Sequence, residues 1–198
     1  MAIIALPASA AIKSIAWDID TPAQVNRSDW TKRRQVVTQP GPSMWTATAD
    51  LTVKIGEAAV LDVEAFLVDL DGPLNKFRLV ACENAQAPDN FLPVVDGGGQ
   101  GGNTLAIRGG TAGVSLKRGN KFTVNDQMLM LMAPVTIGGD GKATFTFKPG
   151  LRVSPADATL IEARRPTVLV ALATSTRGWQ VDPGQQYQIK QLVLEEAF

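Results

Sequence analysis

The sequence predicts a mainly β protein with one flanking α-helix and with a small β-barrel or β-sandwich domain inserted into an outer unit. Three patterns lead to this prediction. Residues Trp45 to Ile55 alternate strictly between apolar and polar side chains, which is the period of a half-buried strand. Between Gly56 and Leu70 the apolar residues recur every three or four positions, which indicates an amphipathic helix. From Val114 onward, short apolar runs are separated by turn residues, a pattern typical of small barrels and sandwiches.

The outer unit is expected to begin with strands. A first strand is predicted over Ile12–Ile19 with Trp17 facing inward, and a short apolar piece at Gln35–Val37 ends at Pro40-Gly-Pro42. The predicted strand Trp45–Ile55 would span about 36 Å at about 3.3 Å per residue. A compact chain of this length has a radius of gyration of only about 16 Å. We therefore expect this strand to cross the domain or to project from it, as in the subunits of rings and tubes.

The helix, predicted over residues 57–70, has local signals at both ends. Glu57 lies in the first turn, where a negative charge interacts favourably with the helix dipole. Gly72 and Pro73 follow the last turn and stop the helix. A strand at Lys76–Val80 is expected to follow.

The segment from Ala85 to Gly113 is rich in glycine, asparagine, proline and aspartate, and it contains the glycine run Gly97–Gly102. We interpret this run as a flexible or tightly turning loop. A phosphate-binding loop needs a Lys-Ser/Thr pair after the glycines, or a strand before them and a helix after them. The sequence has neither here, so we expect no nucleotide or other cofactor.

The second half is predicted to form a β-module. Strands are expected at Lys121–Val124, Met128–Met132, Ala143–Phe147 and Thr167–Ala173, with a tight turn at residues 125–127. We interpret the methionines at positions 128, 130 and 132 as core filler. A last strand is expected over Tyr187–Leu194. The resulting organisation is an outer unit of residues 1–80 plus 174–198 and an inserted β-domain of residues 81–173.

Composition excludes several function classes. The 198 residues include 19 basic and 19 acidic side chains, so the net charge gives no argument for a nucleic acid or an anionic membrane as partner. The absence of histidine removes Ser-His-Asp and Cys-His catalysis and the usual zinc hydrolase sites. The single cysteine, Cys82, allows no internal disulfide, and we interpret it as a small buried hydrophobe.

The apolar runs of the sequence are short. None approaches the roughly 20 residues that span a bilayer. The apolar start of the chain lacks basic residues before it and is interrupted by Pro7, so it does not match a signal peptide. We therefore expect a protein that folds in a cytoplasm and has no membrane partner.

Two sets of motifs carry a resemblance to a known family. In the first half they are Ser28-x-Trp30-Thr-x-Arg33-Arg-Gln-Val-Val, Pro40-Gly-Pro-x-x-Trp45, Gly56-Glu-Ala-Ala and Phe66-Leu-x-x-Leu-x-Gly-Pro73-x-Asn75-x-Phe77. In the second half they are Leu116-x-x-Gly119-x-x-Phe-Thr-Val-Asn125, Pro149-x-Leu-Arg-x-Ser-Pro155-Ala-Asp157, Arg165-Pro166 and Val181-Asp-Pro-Gly184. With these motifs the chain resembles the distal tail or minor tail structural proteins of long-tailed (siphovirus-type) bacteriophages.

The resemblance implies a tail-tube-like β-sandwich with one flanking helix and an inserted β-domain. It also implies a ring, commonly a hexamer, at the distal end of a phage tail. The partners would be copies of the chain, the tail tube protein and the hub proteins of the baseplate or tail tip, with DNA at most transiently in the lumen. Assembly would take place in the host bacterial cytoplasm, and the family brings no catalytic residues.

Five residues are candidates for a subunit interface: Trp30, Lys32, Arg33, Arg34 and Trp45. The run at 32–34 is the only cationic run of the sequence, and it is either a subunit contact, a patch near a DNA-filled lumen or a solvated loop. The two tryptophans flank the Pro-Gly-Pro turn, and they either anchor a neighbouring subunit, as tryptophans often do, or pack under their own sheet. No catalytic, cofactor or metal-ligating residue is predicted.

The leading functional hypothesis is a structural virion protein that acts by assembly. The alternative is a carbohydrate-binding β-sandwich module for attachment to a host surface, which would need exposed aromatic side chains on one face. An enzyme is disfavoured, because the sequence has no histidine and no convergent set of reactive residues. Adjacent acids such as Glu195 and Glu196 are typical of solvated element ends, whereas catalytic pairs usually face each other across a cleft.

Overall fold

The protein is mainly β, with 43% of residues in strands and 7% in a helix. The computed structural model describes residues 1–38 and 43–197. The predicted fold class, a mainly β protein with one helix, is confirmed.

The described part of the chain contains eighteen strands and one helix. In chain order they are β1 (Ile3–Ile4), β2 (Ile12–Asp20), β3 (Ala23–Arg27), β4 (Arg34–Thr38), β5 (Met44–Leu51), β6 (Lys54–Ile55), α1 (Glu57–Asp69), β7 (Lys76–Val80), β8 (Val94–Val95), β9 (Thr104–Arg108), β10 (Ser115–Leu116), β11 (Lys121–Val124), β12 (Gln127–Leu131), β13 (Val135–Thr136), β14 (Ala143–Lys148), β15 (Thr167–Leu172), β16 (Trp179–Asp182), β17 (Gln186–Ile189) and β18 (Leu192–Glu196).

The chain divides into two compact units. The first unit consists of Met1–Asp18, Trp45–Val80 and Thr167–Phe198, and the second of Ile19–Met44 and Ala81–Pro166. The units differ from the prediction in two respects, because residues 19–44 were expected in the outer unit and β15 was expected in the inserted domain. In the structure β15 pairs with β7 on one side and with β18 on the other, so it is an interior strand of the first unit.

A six-stranded sheet forms the centre of the first unit, in the order β1-β7-β15-β18-β5-β2. The helix, confirmed where the apolar period predicted it, buries Val60, Val63 and Leu67. Its Phe66 ring meets the Phe77 ring of β7 edge to face, with centroids 5.3 Å apart and planes at 86°. The core of the first unit therefore includes the contact between α1 and this sheet.

The long strand predicted over Trp45–Ile55 is shorter in the structure. The alternation holds along β5, where Trp45, Ala47, Ala49 and Leu51 are buried. The strand ends at Leu51, and next to it the amide and hydroxyl of Thr52 both donate to the carbonyl of Ala11, at 2.9 and 3.1 Å. Residues 54–55 form β6, which pairs with β17 in a separate three-stranded sheet with β16.

The predicted last strand Tyr187–Leu194 is divided between two sheets. Its first part belongs to β17 and its second part to β18, which joins the six-stranded sheet beside β5. The division falls between Ile189 and Leu192, where the amide of Lys190 donates to the carbonyl of Gly178 at 3.0 Å. An apolar pattern alone does not reveal such a change of sheet.

A five-stranded sheet in the order β11-β12-β14-β9-β8 forms the second unit's core. One segment bridges its two edges: Leu160 pairs with Val94 of β8, and Glu162 pairs with Thr123 of β11. The edges thereby share one strand-like segment, which gives a small barrel-like closure and leaves fewer unpaired edge groups. Phe122 packs inside, with the rings of Phe145 and Phe147 at 5.1 and 5.4 Å.

Two predicted turns have clear geometry in the second unit. The β11–β12 hairpin turns on Asn125 and Asp126, which both have positive φ (50° and 62°), as two-residue hairpin loops require. The glycine run forms a loop that Gln100 fixes by hydrogen bonds. The side chain of Gln100 donates to the carbonyls of Asp96 and Gly97 at 2.9 Å. Its Oε1 also accepts the amide of Ala106 at 2.6 Å.

Candidate subunit interface

The most exposed part of the structure is the hairpin of β3 and β4 with the loop between them, residues 23–38, hereafter the arm. Every residue from Ile19 to Val37 is exposed. Among the described strands, β3 and β4 pair only with each other. A lone two-stranded hairpin is marginally stable in water, so an arm of this kind is suited to a partner that covers it.

The loop at the tip of the arm is organised by Ser28. Its hydroxyl accepts a hydrogen bond from the amide of Thr31 at 3.2 Å, and its carbonyl accepts one from the amide of Lys32 at 2.9 Å. Its own amide donates to the carbonyl of Arg33 at 3.0 Å. A serine that bonds its own local backbone stabilises such a turn. Lys32 takes the left-handed conformation with φ of 54°, and Trp30 at the tip is 95% exposed.

The arm has two different faces. Residues directly opposite each other share a face, and the register pairs Val25 with Val36 and Arg27 with Arg34. Because the next-but-one pair returns to the same side of a strand ladder, these four residues lie together. The opposite face carries amides, with Asn26 opposite Gln35. One face is therefore both apolar and cationic.

The cations of the arm lack local partners. Among the residues that the structure describes, no carboxylate lies within 4 Å of the guanidinium groups of Arg27, Arg33 or Arg34. The two arginines at 27 and 34 are directly opposite each other, and like charges in that position destabilise a ladder. This cationic surface is therefore favourable for a partner with negative charge.

Trp45 is not part of this surface, which corrects the prediction that it lies at a subunit interface. It is only 6% exposed and lies on the inward side of β5. Its amide donates to Oε2 of the buried Glu196 at 3.3 Å. The reason is the alternation itself, since the period that predicts a half-buried strand also points Trp45 into the core. The other four candidates, Trp30, Lys32, Arg33 and Arg34, lie together on the arm.

Sequence reasoning missed the hairpin that positions these four residues. Only Gln35–Val37 was recognised as an apolar piece, and the residues before it were interpreted as a loop. A signal is present in hindsight: Ala23, Val25 and Arg27 alternate with Gln24 and Asn26. It is weak, because one face ends in a charged pair. The predicted breaker at 40–42 lies outside the described residues.

A second cluster of charged groups, in the second unit, is structural. Arg108 donates to both carboxylate oxygens of Asp157 at 2.6 and 3.0 Å and to Asp96 at 3.0 Å. Lys142 donates to the other oxygen of Asp96 at 2.9 Å. The Arg108 hydrogen bonds and that of the Gly97 amide hold the pKa of Asp157 at about 2. The hydrogen bond from Lys142, and then that from Arg108, lowers the pKa of Asp96.

These charged groups do not form a reactive site. Hydrogen bonds from cations lower the pKa of each carboxylate. Neither pKa therefore lies near neutral pH, where a proton-transfer catalyst works best. Cys82 is half-buried, and burial raises the pKa of its thiol, which makes it a poor nucleophile. In the described ranges no three histidine, cysteine, aspartate or glutamate residues are grouped so that they could hold a metal ion. Within the described residues, no helix is long and apolar enough to cross a membrane.

The comparisons with known proteins add no further assignment. No protein-family model matches this chain, and no curated protein matches its sequence.

Proposed function

We propose that this chain is a structural protein that assembles with copies of itself into a ring through its exposed arm. The observation that carries the proposal is the arm, an ordered hairpin that is exposed on both faces and ends in an exposed tryptophan. Tryptophan and arginine are the residues most enriched at the energetic centres of interfaces. An arm that docks on a different surface of the next copy gives a head-to-tail contact, and such contacts close into rings.

The place of that ring is proposed from the sequence motifs. Their resemblance to distal tail proteins of long-tailed phages supports a virion component that joins the tail tube to the baseplate or tail tip. The mainly β fold with one helix is compatible with it. In this proposal the protein acts by assembly and not by catalysis, and a ring of about six copies is built in the cytoplasm of the host bacterium.

The alternative of a carbohydrate-binding module has less support in the structure. Stacking on a sugar ring needs exposed aromatic side chains side by side on one face. Of the four aromatic residues that could serve, Trp45 is buried and Tyr187 is half-buried. Trp179 is 36% exposed and Trp30 is 95% exposed, but these two belong to different compact units.

The test is the native mass of the purified chain, measured by light scattering and sedimentation, together with negative-stain images. We expect a ring of about six copies. Replacing Trp30 with alanine should shift the distribution toward monomers, because an interface tryptophan typically contributes about 2 kcal/mol or more. Leu92→Ala is the matched control, since Leu92 is also an exposed apolar side chain of the second unit but lies far along the chain from the arm.

A chain that remains monomeric at high concentration would contradict self-assembly through the arm. If that monomer bound glycans in a sugar-binding assay, the attachment module would replace the ring as the leading function. If rings formed equally well with Trp30→Ala, the ring would stand but the tip of the arm would not be part of the contact.

A further inference from the structure

The helix α1 has an apolar stripe on its solvent side. Ala58, Leu61, Ala65 and Val68 follow one another at spacings of three, four and three residues, so they lie on one face of the helix. All four are exposed, and the two large ones, Leu61 and Val68, are 53% and 59% exposed. This face lies opposite the buried side, because at about 100° per residue the stripe is about half a turn away from Val63 and Leu70. The helix is therefore apolar on two sides.

Acidic residues border the stripe on both sides. Glu57 and Glu64 are seven residues apart and flank it on one side, and Asp62 and Asp69 flank it on the other. The helix contains no basic residue. An apolar stripe between two rows of carboxylates matches a partner that is apolar and cationic.

The arm has a face that is both apolar and cationic, as such a partner requires. Its one face carries Val25 and Val36 beside Arg27 and Arg34, and the two valines are 47% and 44% exposed. The lengths also agree, since the ten residue steps from Ala58 to Val68 rise about 15 Å along the helix and the five residues of β4 extend about 17 Å.

We propose that the arm of one copy docks its apolar, cationic face on the exposed stripe of α1 of a second copy. The proposal rests on the proposed self-assembly and names the two surfaces that meet. Leu61 and Val68 would pack against Val25 and Val36, and the flanking carboxylates would neutralise Arg27 and Arg34. This contact relieves the repulsion between the paired arginines, which no carboxylate neutralises among the described residues.

The contact is heterologous, because the arm and the helix are different surfaces of the same chain. Each copy then offers one arm and one helix, so every copy can bind two neighbours, and the assembly closes into a ring when the rotation between neighbours closes. An arm-to-arm contact would be isologous and would stop at a dimer.

The test reverses the charges of each surface in the full-length chain. The arm variant carries Arg27→Glu and Arg34→Glu, and the helix variant carries Asp62→Lys and Asp69→Lys. Each variant alone should weaken association by ~100-fold or more, because like charges then face each other at the contact. A chain with all four reversals should form rings again. Lys13→Glu with Lys190→Glu is the control, since both are exposed cations of the first unit outside the stripe.

A second readout does not depend on the strength of association. Cysteines introduced as Val36→Cys in one copy and Ala65→Cys in another should form a disulfide in the mixed sample under mild oxidation, and neither variant alone should form it. Thermal melts of each variant show whether the units remain folded.

The outcomes separate this proposal from the proposed function. If the wild-type chain forms rings but the helix variant does so equally well, or the fourfold variant does not recover, only the arm-to-helix contact is overturned. If the wild-type chain stays monomeric and no cross-link forms, both are overturned.

Discussion

Asp157 shows how hydrogen bonds hold one carboxylate in its charged form. It accepts two hydrogen bonds from Arg108 and one from the amide of Gly97 at 2.8 Å. These contacts stabilise the ionised carboxylate and depress its pKa to about 2. They also tie the glycine run to β9, on which Arg108 lies.

The depressed pKa gives a pH dependence with a definite sign. The carboxylate contributes stability above the unfolded-state pKa of about 3.9, and that contribution is lost as the pH falls through about 2. We predict that Asp157→Asn lowers the free energy of unfolding at neutral pH, and that the difference from the wild type narrows below about pH 4. Denaturant titrations across this pH range measure it.

The control for Asp157→Asn is Glu83→Gln. Glu83 is an exposed carboxylate of the second unit, and its removal should leave the free energy of unfolding unchanged at each pH. A constant difference between Asp157→Asn and the wild type down to pH 2 would show that the hydrogen bonds to Asp157 do not require its charge.

At the scale of elements, the last turn of α1 depends on a side chain from far along the chain. The guanidinium of Arg177 donates to the carbonyls of Leu67 and Val68, and the amide of Asp71 also donates to the Val68 carbonyl at 3.0 Å. The last carbonyls of a helix need such partners from outside it. The helix has no basic residue in its last turn, so Arg177 also supplies the positive charge that the negative end of the helix dipole favours.

We predict that Arg177→Ala destabilises the first unit by about 1 kcal/mol, because two carbonyls lose a charged donor that is partly exposed to water. Hydrogen exchange should become faster at the amides of the last helical turn. Lys190→Ala, which removes an exposed cation of the same unit, should change neither quantity. Unchanged exchange in Arg177→Ala would show that water replaces the guanidinium at no cost.

The burial pattern of α1 confirms the face that the apolar period predicted. The residues Val60, Val63, Phe66, Leu67 and Leu70 recur at spacings of three and four, and all five are buried. The exposed Leu61 and Val68 lie outside that pattern. The sequence does not tell which strand the buried face meets, and the contact between the rings of Phe66 and Phe77 decides it.

At the scale of the whole molecule, the net charge is zero, but the chain carries one cationic and one acidic surface. The arm carries Arg27, Lys32, Arg33 and Arg34 against one acid, Asp29, and α1 carries four acids and no base. Opposite charges on two different surfaces favour contacts between copies, because one surface attracts the other.

Assembly should therefore weaken as salt is added. We predict that raising the ionic strength from about 0.05 M to about 0.5 M shifts the ring–monomer equilibrium toward monomers, because exposed charges are screened over a shorter distance. Sedimentation at several salt concentrations measures the shift. Replacing both Arg27 and Arg34 with glutamine should remove most of the salt dependence. Rings that strengthen with salt would indicate a contact dominated by apolar packing.

Much of the fold was predictable because it depends on local periodicity. The helix and the strands β11, β12 and β14 appear within one or two residues of their predicted positions, since alternation and turn residues are properties of a short segment. The predicted length of β5 was wrong, because residues 54–55 pair with the distant β17 in another sheet. The placement of β15 depends likewise on two distant partners, β7 at residues 76–80 and β18 at residues 192–196.

The sequence by itself determined a mainly β chain with one helix and a cationic run at residues 32–34, because composition and period are written into the chain. Tertiary structure decided which tryptophan is available to a partner. Trp30 and Trp45 have the same chemistry and lie fifteen residues apart in the sequence, yet one is 95% exposed and the other 6%. The difference arises because β5 is sandwiched in a six-stranded sheet, whereas the arm pairs only with itself among the described strands. The burial of a side chain depends on the residues that pack around it, and those residues come together only when the whole chain has folded.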